Sequence, residues 1–386
     1  DPNYAEVYLG MGLAYSIKGN NDKAIEYYQK AILIDPNHAE AYSCMGLAYS
    51  IKDNYDKAIE YYQKAIEIDP NDTDAYCRMG LVYYKKGNND KAIEFYQKAI
   101  KIDPNYAIAY CSMGDVYNDD KAIEFYQKAI KIDPNYAIAY YRMALVYDIK
   151  GNYDKAIEFY EKTIEINPNF ADAYYNMGFT YSIKGNDDKE IESYQKAIEL
   201  DPNYTDVYFN MGLVYGKKGN YDKAIEYYEK TIEINPNFAD AYYNMGVNYS
   251  KKGNNDKALE FSQKAIEIDP NHASAYCNMG VSYLRKGNND KAIKFYQKAI
   301  EIDPNDAIAY YGMGDVYLNK GNYGKAIEFY QKSIAIEPNN AEAYYRAGAC
   351  YGKKGNHDKA IEYIQKAARL GLKDAQDILK KSNNSW

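Results

Sequence analysis

Asparagine stands at residues 176, 210, 244 and 278, one every 34 residues. A carboxamide both donates and accepts. A row of them held at one spacing can therefore pair with the C=O and N–H groups of an extended chain without reading its sequence. Aromatic Tyr175, Phe209 and Tyr243 precede three of the four, and Tyr141 holds the same place one period upstream beside Arg142. Rings there offer rigid surfaces to a partner's side chains. Asp172, Asp206 and Asp240 stand before the asparagines, and Lys217, Lys251 and Arg285 after them. These charges could orient a ligand, and acids at helix starts with bases at helix ends equally complement the helix dipole.

Other chemistry has no candidate. The three histidines, His38, His272 and His357, have no fixed Ser, Cys or carboxylate partner in the repeating frame, so no catalytic triad or metal cluster is expected, no cofactor, and no enzyme. Five cysteines form no CxxC pair and are odd in number, which fits reduced, partly buried thiols better than disulfides or zinc. The Gly-Asn pairs lack the context of a phosphate-binding loop. A net charge of −8 and a pI near 5.2 argue against nucleic acid and a membrane surface. No run of eighteen apolar residues exists. The chain opens on Asp1 rather than methionine, so its true N-terminus is read as missing and export stays open, with a cytoplasmic setting the expectation. Sequons at Asn71, Asn203, Asn248 and Asn383 matter only in a secreted protein.

The elements that position these residues repeat. All eleven prolines precede asparagine, at intervals of 34 residues except one of 30. Within Ala171 to Tyr204, residues Tyr174, Met177, Gly178 and Tyr181 follow the i, i+3, i+4, i+7 stripe of an amphipathic helix. Gly185 ends that helix A in a left-handed conformation, and Asn186 to Asp188 offer caps to a helix B carrying Ile191, Tyr194, Ala197 and Ile198. Helix B stops before Pro202. A lone hairpin cannot bury both faces, so hairpins must stack into a solenoid. Lys57, Glu60, Lys64 and Glu67 then line an inert, solvated outer face.

This pattern resembles the tetratricopeptide (TPR) repeat: an aromatic at repeat position 4, Gly at 8, Tyr at 11, Ala at 20, an aromatic at 24, Ala at 27 and Pro at 32. Repeat nine shows the whole set in Tyr276, Gly280, Tyr283, Ala292, Tyr296, Ala299 and Pro304. The resemblance implies an all-α fold, a right-handed superhelical solenoid of eleven helix-turn-helix hairpins over residues 1–374, with a C-terminal capping helix and tail over 375–386. It further implies that A helices line a concave groove into which positions 2, 5, 6, 9, 12 and 13 look. The asparagines at position 6 are then similar to the asparagine ladder of the TPR superhelix of O-linked N-acetylglucosamine transferase. The family's carboxylate clamp is not expected, since no repeat has Lys at position 5 or Asn at 9.

Departures from the pattern carry expectations too. Asp53 replaces a helix-ending Gly. Glu190 at position 20 and Ser262 at position 24 read as drift at a partly exposed edge. Repeat 4, residues 107–136, lacks four residues between Tyr117 and Asn118, and a deletion there should weaken stacking and kink the stack after it. The functional expectation is a scaffold that binds an extended segment of a partner protein across repeats 5–9. The alternative is a structural protein that self-associates end to end through its uncapped first repeat into oligomers or filaments.

Overall fold

The computed structural model describes residues 3–117 and 120–381; the sequon at Asn383 and the join at Asn118 lie outside them. Among the described residues every regular element is helical. The hairpins follow in order: α1 (Asn3–Ile17) with α2 (Asn21–Ile34), α3 (Ala39–Ile51) with α4 (Tyr55–Ile68), α5 (Thr73–Lys85) with α6 (Asn89–Ile102). Next come α7 (Ala107–Asp115) with α8 (Asp120–Ile132), α9 (Ala137–Ile149) with α10 (Tyr153–Ile166), α11 (Ala171–Ile183) with α12 (Asp187–Leu200). Then come α13 (Thr205–Lys217) with α14 (Tyr221–Ile234), α15 (Ala239–Lys251) with α16 (Asn255–Ile268), α17 (Ala273–Arg285) with α18 (Asn289–Ile302). The last are α19 (Ala307–Asn319) with α20 (Tyr323–Ile336), α21 (Ala341–Lys353) with α22 (His357–Arg369), and the cap α23 (Lys373–Lys381). The architecture is the expected helical-hairpin solenoid. It forms two compact units, one ending at Leu200 and one beginning at Asp201.

Local chemistry fixes each joint. Gly185 has φ 71° and Gly219 φ 75°, and Asp53 adopts the same left-handed conformation at φ 56°, a conformation that Asp tolerates better than most side chains. The next residue caps helix B: Asn20 Oδ1 accepts from Lys23 N at 3.1 Å and Asn186 from Lys189 N at 3.2 Å. Between repeats, Asp35 Oδ1 accepts from Asn37 N at 3.0 Å. That Asx turn across the proline explains why Asp or Asn precedes every Pro-Asn except the last, where Glu337 stands.

Packing inside a hairpin rests on one pair. Position 24 holds the largest fully buried side chains, among them Tyr62, Tyr96, Tyr194 and Tyr228, and position 8 holds the glycine beneath them. A Cβ on Gly46 would stand 2.7 Å from the Tyr62 ring, and one on Gly178 2.7 Å from Tyr194. Glycine lets the helices close onto an aromatic ring at that separation, and in repeat 5 the small Ala144 holds the same place against a fully buried Tyr160. Successive A helices also touch directly, as α15 touches α17 and α17 touches α19, which puts the A side on the inside of each unit's curve.

The short repeat does not divide the stack. Helix α7 spans 9 residues where α5 and α9 span 13, yet Cys111, Tyr126 and Met143 still share one core. Its Tyr117–Phe125 stack opens to 5.8 Å against 5.3 Å for Tyr83–Phe95. The first unit runs straight through this repeat.

Candidate protein-binding site

Position 6 meets the preceding repeat as well as the A-helix face. Cys44, Arg78 and Ser112 stand beside the hydroxyls of Tyr28, Tyr62 and Tyr96, the buried tyrosines at position 24 one repeat before. Gly312 lies against Tyr296 in the same way. Position 6 therefore needs a side chain that suits a buried phenol, and a polar residue there has a structural reason.

The asparagines divide on this point. Asn176 donates from Nδ2 to its own helix at Asp172 O and to Tyr141 Oη, both at 2.9 Å. Asn244 donates to Asp240 O at 2.8 Å. Both are half-buried, as is Asn210, and with one of its two N–H groups committed the amide of Asn244 still offers a ligand its Oδ1. Asn278 borders the groove pocket described below, yet its amide is turned toward the core. It is 8% exposed, and its Nδ2 donates to Ser262 Oγ at 2.8 Å. Serine at 262 vacates the space that tyrosine fills elsewhere, and the Asn278 amide turns inward to fill it. Ser262 itself is fully buried and Glu190 is 5% exposed, so neither lies at an exposed edge as the sequence suggested; both sit on the A/B contact.

The position 5 rings also serve the fold. Tyr141 packs on Phe170, Phe209 on Phe238 and Tyr243 on His272, each with centroids 4.9 Å apart, and Tyr175 lies 6.0 Å from Tyr194. All four keep part of their surface exposed. The acids Asp172, Asp206 and Asp240 are exposed, and Asp240 Oδ1 meets His272 Nε2 at 3.2 Å as Glu6 Oε1 meets His38 Nε2 at 3.2 Å, so two histidines have the carboxylate partner that the sequence did not lead one to expect. His272 Nδ1 accepts from Ala275 N at 3.3 Å, so the proton of the neutral ring is assigned to Nε2.

Sequence reading missed why arginine interrupts position 6. Arg142 pairs with Asp115 of the preceding repeat at 3.3 Å, and Asp115 accepts from Tyr126 Oη at 2.8 Å. Arg346 stands in the same relation to Asp315, which accepts from Tyr330 Oη at 2.6 Å. Burial holds both carboxyls above the usual carboxylate range. The signal was present: acid occupies position 9 only in the two repeats whose successors carry these arginines.

In the second unit the A-helix face encloses a pocket of about 490 Å³ between α15, α17 and the start of α19. Tyr243, Val247, Val281 and Ile308 supply its apolar wall, at positions 5, 9, 9 and 2 of their repeats. Lys251 and Arg285 come from the C-terminal ends of their helices, and Asp303 and Asp306 from the turn that starts α19. The stacked A helices run parallel, so cations and anions stand at opposite ends of the groove, about 20 Å apart at 1.5 Å per residue. Arg285 is held by Ser250, donating from Nη1 to its O at 2.7 Å and its Oγ at 2.8 Å. Burial raises the Asp306 carboxyl.

Among the described residues no cluster of three or more His, Cys, Asp and Glu could hold a metal ion, and no helix is long and apolar enough to cross a membrane. Burial pushes the Cys44 thiol up to about 11 and the Cys77 thiol to about 12, so neither is a thiolate at neutral pH.

Helical hairpins that repeat along the chain, most with glycine under tyrosine, and a groove on the A side of each unit define a helical repeat protein of the scaffold class. Family models confirm which one. Models described as TPR repeat match residues 51–87, 80–120, 118–148 and 183–219. Models described as tetratricopeptide repeat match 5–38, 137–170 and 205–238, then 237–305, 271–339 and 305–373, and also 27–60 and 159–192. The chain belongs to the tetratricopeptide repeat family, whose members are protein-interaction scaffolds. No curated protein matches it significantly. Among solved structures, a tetratricopeptide repeat protein from Parabacteroides merdae is 20% identical with a TM-score of 0.56, over 64% of this chain and 99% of that one. The Cut9–Hcn1 heterotetramer of the APC/C is 17% identical with a TM-score of 0.50, over 91% of this chain and 90% of that one. Yeast Tom70 is 17% identical with a TM-score of 0.48, over 98% and 94%. Such identities speak to the fold alone.

Proposed function

We propose that the chain holds an extended segment of a partner protein against the A-helix face of its second unit, seated in the pocket between Tyr243 and Ile308. The observation that carries this reading is the pocket itself. It gathers an apolar wall with cations at one end and anions at the other, on the face where the chain's sequence varies most. A segment in extended form exposes backbone N–H groups, and the half-buried amides of Asn210 and Asn244 lie on the same face of their helices. Phe209, Tyr243, Asp206 and Asp240 would flank it. In the first unit the same face offers Tyr141, Tyr175, Asn176 and Asp172 as separate contacts.

A random peptide library selected against the full chain supplies the test. The best binder should lose about tenfold in affinity against a Lys251→Glu/Ile308→Ala variant, since both residues are exposed and the melting temperature should hold. Equal affinity for the variant and the unaltered chain would exclude the pocket.

A further inference from the structure

Acids at helix starts and bases at helix ends complement the helix dipole in any repeat, so the dipole alone would spread them evenly along the chain. Position 13, at the C-terminal end of each A helix, shows otherwise. Ile17, Ile51, Ile149 and Ile183 hold it in repeats 1, 2, 5 and 6, and Lys217, Lys251 and Arg285 hold it in the consecutive repeats 7, 8 and 9. Asp stands at both position 31 and position 34 in repeats 2 and 9 alone. The A helices of repeats 1 and 2, which precede Asp69 and Asp72, end in isoleucine, while those of repeats 8 and 9, which precede Asp303 and Asp306, end in Lys251 and Arg285. Two cations followed by the Asp pair occur at the second unit's pocket and nowhere else in the sequence.

Along the A helices the pocket wall runs from anion through apolar to cation. Asp306 stands at the start of α19 with Ile308, 62% exposed, beside it; Val247 and Val281 follow, and one helical turn further Lys251 and Arg285 close the far end. Arg285 is already fixed there, since Ser250 O and Oγ hold its Nη1 at 2.7 Å and 2.8 Å, so its guanidinium gives up little freedom on meeting a carboxylate. The two ends lie about 20 Å apart at 1.5 Å per residue, which an extended chain covers in about six residues at roughly 3.3 Å each. A chain crossing the helices instead would meet the cations and the anions as two rows, and would need its own charges on alternate residues.

Building on the groove reading above, we propose that the partner's segment is bipolar and lies along α15 and α17. An acidic side chain meets Lys251 and Arg285, a basic one about six residues away meets Asp303 and Asp306, and apolar side chains between them rest on Val247, Val281 and Ile308. Glu337, exposed at the acidic end, strengthens the preference for a base there.

Fluorescence anisotropy of the full chain with end-capped, labelled peptides tests this. The probes share one composition, Asp, Lys and two Leu in a Ser/Gly chain, and are made in both chain directions with Asp and Lys about two, six or ten residues apart. At low salt the spacing of about six should bind about tenfold tighter than the other two in at least one direction, and high salt should remove the difference. Lys251→Glu should remove it as well while leaving the melting temperature unchanged, since that side chain is exposed. Equal affinity at every spacing, a preference that survives salt or Lys251→Glu, or no binding by any probe would overturn the bipolar segment. Affinity that ignores spacing yet falls in Ile308→Ala would keep the pocket and remove only the charge pattern.

Discussion

Asn244 and Asn278 occupy the same place in consecutive repeats and do different work. Asn278 satisfies the buried Ser262 hydroxyl, so its removal leaves a buried polar group unpaired. Asn278→Ala should cost about 1–3 kcal/mol, while Asn244→Ala, with its amide on its own helix and half in solvent, should stay within about 0.5 kcal/mol. Urea unfolding of the two variants checks this, and equal losses would contradict the burial of Asn278. The sequence could not separate them. What turns Asn278 inward is the loss of a tyrosine at 262, sixteen residues away, and such an effect depends on which side chains meet across the hairpin. Gly185 and Asp53, by contrast, were readable, because a helix stop is decided within a few residues of backbone.

At the scale of a helix, the hairpins were legible because their signals are local: a left-handed residue, an asparagine cap, a stripe and a proline. Contacts between hairpins were less so. Asp22 bridges to Lys52, Asp56 to Lys86 at 2.5 Å and Asp290 to Lys320 at 2.8 Å, linking the first turn of one helix B to the next repeat's A/B turn. Helix α20 breaks the series, since Gly324 stands where the acid belongs and α20 has no acid in its first turn. Lys354 Nζ lies 3.6 Å from where a Cβ on Gly324 would be. Gly324→Asp should stabilise the chain by about 0.5–1.5 kcal/mol through helix propensity, the dipole and an exposed ion pair. Thermal melts at low and high salt check it. A destabilised variant would show that the lysine cannot turn to meet the acid, and a gain that survives salt would assign it to propensity rather than charge.

At the scale of the chain, the composition set expectations and the 34-residue period gave the class of fold. Neither could show that packing gathers the helices into two units, since a period says that neighbours stack and nothing of how evenly. Nor could it single out the pocket beside Tyr243, which depends on Ile308 and Asp306 arriving from the next repeat. The near-identity of the repeats has a further consequence. Residues 153–178 and 221–246 differ at one position, so a folding hairpin meets several surfaces that would accept its apolar face. Contacts made by unlike side chains, such as Thr180 on Asp148, Asn278 on Ser262 and Arg285 on Ser250, act as addresses that tell one neighbour from another. Replacing Ser262 by Tyr and Arg285 by Lys, the residues other repeats carry, should enlarge the slow phase of refolding from urea while leaving helicity intact. An unchanged slow phase would mean that order along the chain needs no such labels. In a molecule made of nearly interchangeable parts, the few unlike side chains keep the parts in sequence.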